Sequence, residues 1–259
     1  MTEHGGEPVG LGDALQALAL TNYGHFTSMR VERGRVRGLS LHLDRLVRDC
    51  RAVFDTRLDP ERVREHIRRT VPREGSCVAR VTVFDPALSP ARIEPDARPH
   101  VLVTTSPAVD GPSTPLRVRT VTHTRDMPEV KNTGLFGSLR HRREARRAGF
   151  DDVLFVDGRG RVREGGTWNI GFIEGDRVVW PEADCLEGVT MRLLQRLHDD
   201  STTAPVTLAD AARFDAAFAT NAVVGVRPVA ALDDLVLPDS HPLIDELRDR
   251  YTALPGDPI

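Results

Sequence analysis

Two residues offer chemistry by type and position. Lys131 follows a predicted turn at Pro128 and stands at the mouth of a predicted helix. Glu164 comes 33 positions later, at the end of a predicted strand that runs into Gly165-Gly166. A lysine held partly out of water can lose its proton and act as nucleophile or base. A carboxylate at a strand end, followed by small residues, can approach a flat ring closely. A surface lysine and a turn glutamate fit the same spacing, so spacing alone leaves both readings open. Gly188-Val189-Thr190 opens a helix. Its N–H groups, the helix dipole and a threonine hydroxyl could cradle a phosphate, although ordinary capping gives the same pattern. Arg45 lies off the apolar stripe of its helix, near His42 and Asp49. Alone it reads as a solvated arginine.

Other chemistries find little purchase. His25, His42 and His123 are dispersed, so no metal site is expected. There is no GxSxG elbow and no GxGxxG or GxxxxGK[ST] loop. The run Leu139 to Arg147 holds five arginines and one glutamate. Leu135, Leu139 and Ala145 give that segment an apolar helical face, which makes the arginines its wet side rather than a nucleic-acid surface.

The elements that must position these residues follow from periodicity. Thr27 to Glu32 reads as a strand ending in a Gly34 turn. Ser40 is placed to cap a helix whose apolar positions are Leu43, Leu46, Val47, Cys50 and Val53. Pro60 opens a second helix, running through Val71. Cys77–Phe84, His100–Thr105 and Leu116–Thr122 read as strands. A helix from about Leu135 to Ala148 closes at Gly149. Two hairpins follow, turning at Asp157-Gly158 and Gly175-Asp176, and then a helix from about Thr190 to His198. A short strand near Val206, another at Ala216–Thr220 and a helix from about His241 to Thr252 complete the pattern. Strands, hairpins and helices in this mixture predict an α+β fold with largely antiparallel sheets.

With 259 residues the chain makes one large domain or two small ones, enough for a core without disulfide or metal staples. The Pro/Gly/Ser-rich stretch Ser106–Pro115 sets the expected boundary, between domains 1–108 and 109–259. The second, larger domain would carry Lys131. A second proline-rich stretch, Asp85 to Pro99, reads as an excursion. The net charge of -3 argues against a nucleic-acid or polybasic membrane partner. No apolar run approaches the ~18 residues of a membrane span. The opening Met-Thr-Glu-His-Gly-Gly-Glu lacks the apolar core of a secretory signal. Cys50, Cys77 and Cys185 form no paired pattern, which fits a cytoplasmic setting.

Taken in order, these segments resemble the class IV aminotransferase family, the fold-type IV enzymes that use pyridoxal 5'-phosphate. The likeness runs from about Tyr23 to Val229. Its strongest block is Lys131, then Glu144 to Phe150, Val156-Asp157 through Gly160, Glu164, Asn169, Pro181 and Leu186 to Thr190. The resemblance implies two domains with the cofactor in the cleft between them. It makes Lys131 the catalytic lysine that bonds the cofactor and Glu164 the acid facing the pyridine nitrogen. It makes Arg45, Val189, Thr190, Thr220 and Asn221 cofactor ligands, chiefly for the phosphate. Phe26, Ser28, Arg80 and Ala222 fall at substrate-binding positions.

Three departures from the family pattern stand out. The loop at Tyr23-Gly24-His25-Phe26 is short. Phe136 replaces the tyrosine of branched-chain members, and Ala222 replaces a phosphate-binding threonine, a role Thr220 could take. The implied activity is transfer of an amino group between an amino acid or amine and a 2-oxo acid, by a homodimer. The segments Phe26–Val31 and Leu39–His42 lean toward aminodeoxychorismate lyase, which releases pyruvate and p-aminobenzoate. A non-catalytic binding protein is a third reading, opposed by the retained Lys131 and Glu164.

Overall fold

The computed structural model describes residues 11–93, 95–108 and 114–259. The opening heptapeptide and residues 109–113 of the expected linker therefore lie outside the described residues. In chain order the elements are α1 (Leu11–Thr21), β1 (Gly24–Glu32), β2 (Arg35–Val36), α2 (Leu39–Phe54), α3 (Pro60–Thr70), β3 (Ser76–Phe84) and β4 (His100–Pro107). Next come β5 (Leu116–Thr122), α4 (Phe136–Arg147), β6 (Asp152–Val156), β7 (Val162–Gly165), β8 (Asn169–Glu174) and β9 (Arg177–Pro181). The last are α5 (Val189–Leu197), β10 (Ser201–Ala204), β11 (Ala216–Asn221), β12 (Gly225–Leu232), β13 (Leu235–Val236), α6 (Pro242–Ala253) and β14 (Asp257–Pro258).

The chain forms two compact units, and neither is one continuous stretch. The first takes residues up to Val109, then Val130–Leu135 and Pro255–Ile259; the second takes Asp110–Glu129 and Phe136–Leu254. This differs from a single cut at 108/109, because the short segment that carries Lys131 packs with the first unit.

The first unit is an antiparallel sheet in the order β14-β2-β1-β3-β4. Side chains alternate across a strand, so Met29 and Val31 of β1 face the same way as Ala79, Val81 and Val83 of β3. These bury against Leu39, Leu43, Leu46 and Cys50 of α2 and Val63 and Ile67 of α3. The opposite face carries Phe26, Ser28, Arg30 and Arg80. Helix α3 begins as its sequence predicts, with Pro60 in the first turn and Asp59 accepting from Glu61 N at 2.9 Å. Helix α2 does not begin at a Ser40 cap. Its N-cap is Gly38, at φ 67°, and Ser40 is already inside the helix. A left-handed residue is easiest for glycine, so the turn geometry outweighs the capping hydroxyl.

The second unit is a mixed sheet in the order β10-β9-β8-β11-β12-β5-β6-β7, with β13 paired to β12. Three of its pairings are parallel: β10 with β9, β12 with β5 and β5 with β6. The sheet curls until its ends meet, where Val162 N donates to Val206 O at 2.8 Å and Leu208 N to Gly160 O at 3.1 Å. That bond explains the strand signal near Val206: the residue ties the sheet ends together just beyond β10. Leu154, Trp168, Ile170, Phe172, Ala217, Ala219 and Val229 form its core. Helix α4 buries Ser138 and Ala145, whereas Leu139 is 54% exposed. The expected apolar face is thus corrected: Arg142 turns partly inward to pair with Asp152, and Leu139 rotates out.

The sequence pattern gives no signal for α1, β2, β12, β13 or β14. The short β13 and β14 carry two residues each, below what periodicity can register. Among the described residues no helix is long and apolar enough to cross a membrane. Leu46 is fully buried at the α2 contact with the sheet. Leu46→Ala should lower stability by about 2–5 kcal/mol, read as a lower urea midpoint at unchanged slope.

Candidate active site

In the first unit, the Lys131 segment is stitched to the edge of β1 that β2 leaves open. Phe26 N donates to Lys131 O at 2.8 Å and Thr133 N to Gly24 O at 2.9 Å, with a bridge between His25 and Asn132. From the other side Lys131 N donates to Asp49 Oδ2 at 3.1 Å. The Asp49 carboxylate is 1% exposed, and Arg48 Nη2 donates to its other oxygen at 2.8 Å. The backbone of Lys131 is therefore fixed at both its N–H and its C=O. Its Nζ lies 4.9 Å from the centre of the Phe26 ring.

Arg45 is buried on α2 and donates through Nη2 to Thr27 Oγ1 at 2.5 Å. Thr27 Oγ1 is also 2.7 Å from His42 Nδ1. Arginine can only donate, so Thr27 accepts from Arg45 and turns its own proton to His42. This puts the proton of the neutral imidazole on Nε2, a tautomer assigned from the bonding pattern. Burial, then the charges of Arg45 and Lys131, hold His42 well below the usual histidine range. On the open face of the sheet Ser28 stands in register with Arg80, and the Arg80 guanidinium lies 3.6 Å from the centre of the Phe26 ring. Burial lowers the Arg80 pKa. Phe26, Ser28, Arg80 and Lys131 are thus neighbours within this unit, while Arg45 sits on the helix-facing side.

In the second unit, Glu164 is the penultimate residue of β7 and is 8% exposed. Its Oε1 accepts from Arg125 Nε at 2.8 Å, and Arg125 also donates to Pro128 O at 2.6 Å. Its Oε2 accepts from Leu186 N at 3.4 Å. Asn169 holds the same loop: Nδ2 donates to Leu186 O at 2.8 Å and Oδ1 accepts from Gly188 N at 3.0 Å. The loop delivers the N-terminus of α5, where no side chain caps the first turn. The first N–H groups there have no acceptor within the helix and carry the positive end of its dipole. Thr190 is fully buried, with Oγ1 3.3 Å from Tyr251 Oη.

Thr220 pairs with Asn169 across β11 and β8 and is 2% exposed. Its hydroxyl has no hydrogen-bond partner among the described residues. Asn221 is committed to its turn, with Oδ1 accepting from Val223 N and Val224 N at 3.0 and 2.9 Å. Ala222 lies half-buried in the same turn. Thr220 and Asn221 also line an open cavity of about 450 Å³ with Thr167, Trp168, Arg142 and Arg227. Cys185 immediately precedes Leu186 in the same loop. Burial first, then the charges of Glu164 and Glu187, push its thiol up to about 12, so it stays protonated.

The class IV aminotransferase family model matches residues 24–232. This chain belongs to the class IV aminotransferase family. It is 26% identical over 247 residues to branched-chain-amino-acid aminotransferase-like protein 2 of Arabidopsis thaliana, covering 87% of this chain and 44% of that protein. The chain spans less than half the length of the curated relatives it matches. Solved structures share the fold. A branched-chain aminotransferase of Escherichia coli superimposes with a TM-score of 0.81 at 17% identity, covering 92% of this chain and 87% of that one. A putative 4-amino-4-deoxychorismate lyase of Legionella pneumophila gives 0.76 at 23% identity, covering 93% of each.

Sequence reasoning passed over Arg125, Asn169 as a site residue, and Tyr251. Arg125 lies only six positions before Lys131, but nothing in spacing ties it to Glu164.

Two outcomes follow from this geometry. A Cβ added at Gly188 would lie 2.3 Å from Asn169 Oδ1. Gly188→Ala should therefore displace the start of α5 and lower stability by about 1–3 kcal/mol, read as a lower urea midpoint. The second concerns His25, which is fully buried and has its pKa lowered to about 3 by burial. The unfolded chain takes up this proton near 6.5 and the folded chain does not, so stability is full above about 6.5 and falls as pH drops toward 3. His25→Phe should shrink the loss of unfolding free energy between about pH 7.5 and pH 5.5 by about 1 kcal/mol, read by urea titration.

Proposed function

We propose that this chain is a pyridoxal 5'-phosphate-dependent aminotransferase acting between an amino acid or amine and a 2-oxo acid. The observation that carries the reading is Lys131, fixed at both backbone groups by Asp49 and Phe26, in a chain that belongs to the class IV aminotransferase family. The fit to a phosphorylated cofactor rests on the second unit. An uncapped α5 N-terminus, the buried Thr190 and the buried, unpartnered hydroxyl of Thr220 supply donors suited to a phosphate.

In this reading Val189, Thr190, Thr220, Asn221 and Arg45 hold the phosphate, and Lys131 holds the cofactor covalently. Glu164 faces the ring nitrogen and keeps a proton on it, and Arg125 keeps the Glu164 carboxylate oriented. When bound, the cofactor supplies an electron sink for charge developing at the substrate Cα. Lys131 Nζ would take up and deliver the proton at the substrate Cα. The fixed Lys131 backbone limits that amine to a short arc. Phe26, Ser28, Arg80 and Ala222 bind substrate, with the Arg80 guanidinium available to a carboxylate. A homodimer working in the cytoplasm on small-molecule substrates completes the reading.

Aminodeoxychorismate lyase is the second reading, favoured by the half-buried Ser28 hydroxyl in register with Arg80 on the Phe26 face. The purified protein with pyridoxal phosphate should absorb visible light, and Lys131→Ala should abolish the borohydride-reducible adduct. A colourless protein that ignores added cofactor would sink both readings. In a single turnover, pyridoxamine phosphate formed from amino donors marks the transaminase. Pyruvate with p-aminobenzoate marks the lyase.

A further inference from the structure

The β1–β2 hairpin writes Arg30-Val31-Glu32-Arg33-Gly34-Arg35-Val36-Arg37. Val31 and Val36 are paired in the ladder and point into the core. Alternation then puts Arg30, Glu32, Arg35 and Arg37 together on the opposite face, with Glu32 directly across from Arg35. Arg33 occupies the turn at φ 50°, with its N–H held by Gly75 O at 2.9 Å. These side chains surround an open cavity of about 480 Å³, closed by Gly75, Ser76 and Gly256.

Four arginines meet one carboxylate in this lining. Glu32 is shared, taking Arg30 Nε on Oε1 at 2.7 Å and Arg37 Nη1 on Oε2 at 2.9 Å. Both of those arginine side chains are under 20% exposed, so their guanidinium planes are held in place. Arg35 Nε donates to Gly256 O at 2.7 Å, which fixes its stem and leaves the two Nη groups for other acceptors. Arg33 and Arg35 make no ion pair among the described residues. The lining thus carries an excess of three positive charges in a chain whose net charge is -3. Like charges this close repel unless an anion joins them, and a concave arrangement focuses their field.

We propose that this cavity, whose lining shares no residue with the proposed active site, is an anion-binding site for a compact polyanion bearing two or more phosphate or carboxylate groups. Forked guanidinium groups match both kinds of oxygen cluster. Among the described residues the lining offers no aromatic or aliphatic side chain, so its chemistry selects for charge rather than for an apolar ring. Backbone at Gly75 and Gly256 and the Ser76 hydroxyl offer the remaining polar contacts.

The test is calorimetric titration of the full chain, loaded with one equivalent of pyridoxal phosphate, with pyrophosphate and separately with citrate at about 0.15 M salt. Saturable binding of either probe at one site per chain is expected. The double variant Arg33→Asn/Arg35→Ala should weaken it about tenfold or more. Asparagine tolerates the left-handed turn, and both positions are exposed, so the variant should fold. A control variant, Arg62→Ala/Arg69→Ala on α3, should bind as the parent does. Heats that do not saturate with either probe, equal affinity in the double variant, or an equal loss in the control would each overturn the site.

Discussion

Burying a carboxylate is costly unless donors reach both of its oxygens, and Asp49 meets that condition in one way only. Arg48 serves one oxygen, and the backbone N–H of Lys131 serves the other. Helix α2 is held by its own apolar stripe against the sheet, so Asp49 is a fixed point. The segment 130–135 has no core of its own. It is positioned by this acceptor and by the open edge of β1. The lysine half-site is therefore a consequence of an ion pair on a helix and a vacancy on a strand edge, both set by residues far away in the chain.

The second unit solves a similar problem with amides and loops. Glu164 and Asn169 come from strands consecutive along the chain, β7 and β8, and both grip the stretch from Leu186 to Gly188. That grip aims α5 and leaves its first turn uncapped. A helix start without a side-chain cap is a deficit in an ordinary helix, and here it sits in a chain that has spent a buried asparagine to hold it in place. Arg125 balances Glu164 where little water reaches, so the carboxylate can be buried at a strand end without losing its charge partner.

Much of this was legible in the residues. Helices α2 and α3, the two hairpins and the α5 start follow from apolar spacing, Pro60, Gly188 and the turn pairs. The α+β class follows from their mixture. What escaped has physical reasons. The Ser40 cap lost to Gly38 because a left-handed turn outweighs one hydroxyl. Leu139 turned outward because the Arg142–Asp152 pair set the rotation of α4, and an apolar stripe of three residues is a weak constraint. The parallel pairings of β5 could not be read, since register between distant strands leaves no local mark. The allegiance of Lys131 to the first unit rests on two backbone–backbone hydrogen bonds and one from its N–H to the Asp49 carboxylate, which apolar spacing does not report. The candidate site residues are named by the resemblance and not by spacing.

The chain passes between the two units four times, at 109/110, 129/130, 135/136 and 254/255. On a ribosome this ordering has a cost in time. The sheet of the first unit can close early, yet its Lys131 edge waits for residues 130–135 and its β14 edge for residues 257 and 258. The first unit cannot be excised as a contiguous fragment without losing a strand edge or the lysine. Swapping one unit between relatives by a single crossover would split a hydrogen-bonded ladder, so recombination in such a chain must exchange three pieces for the first unit or two for the second.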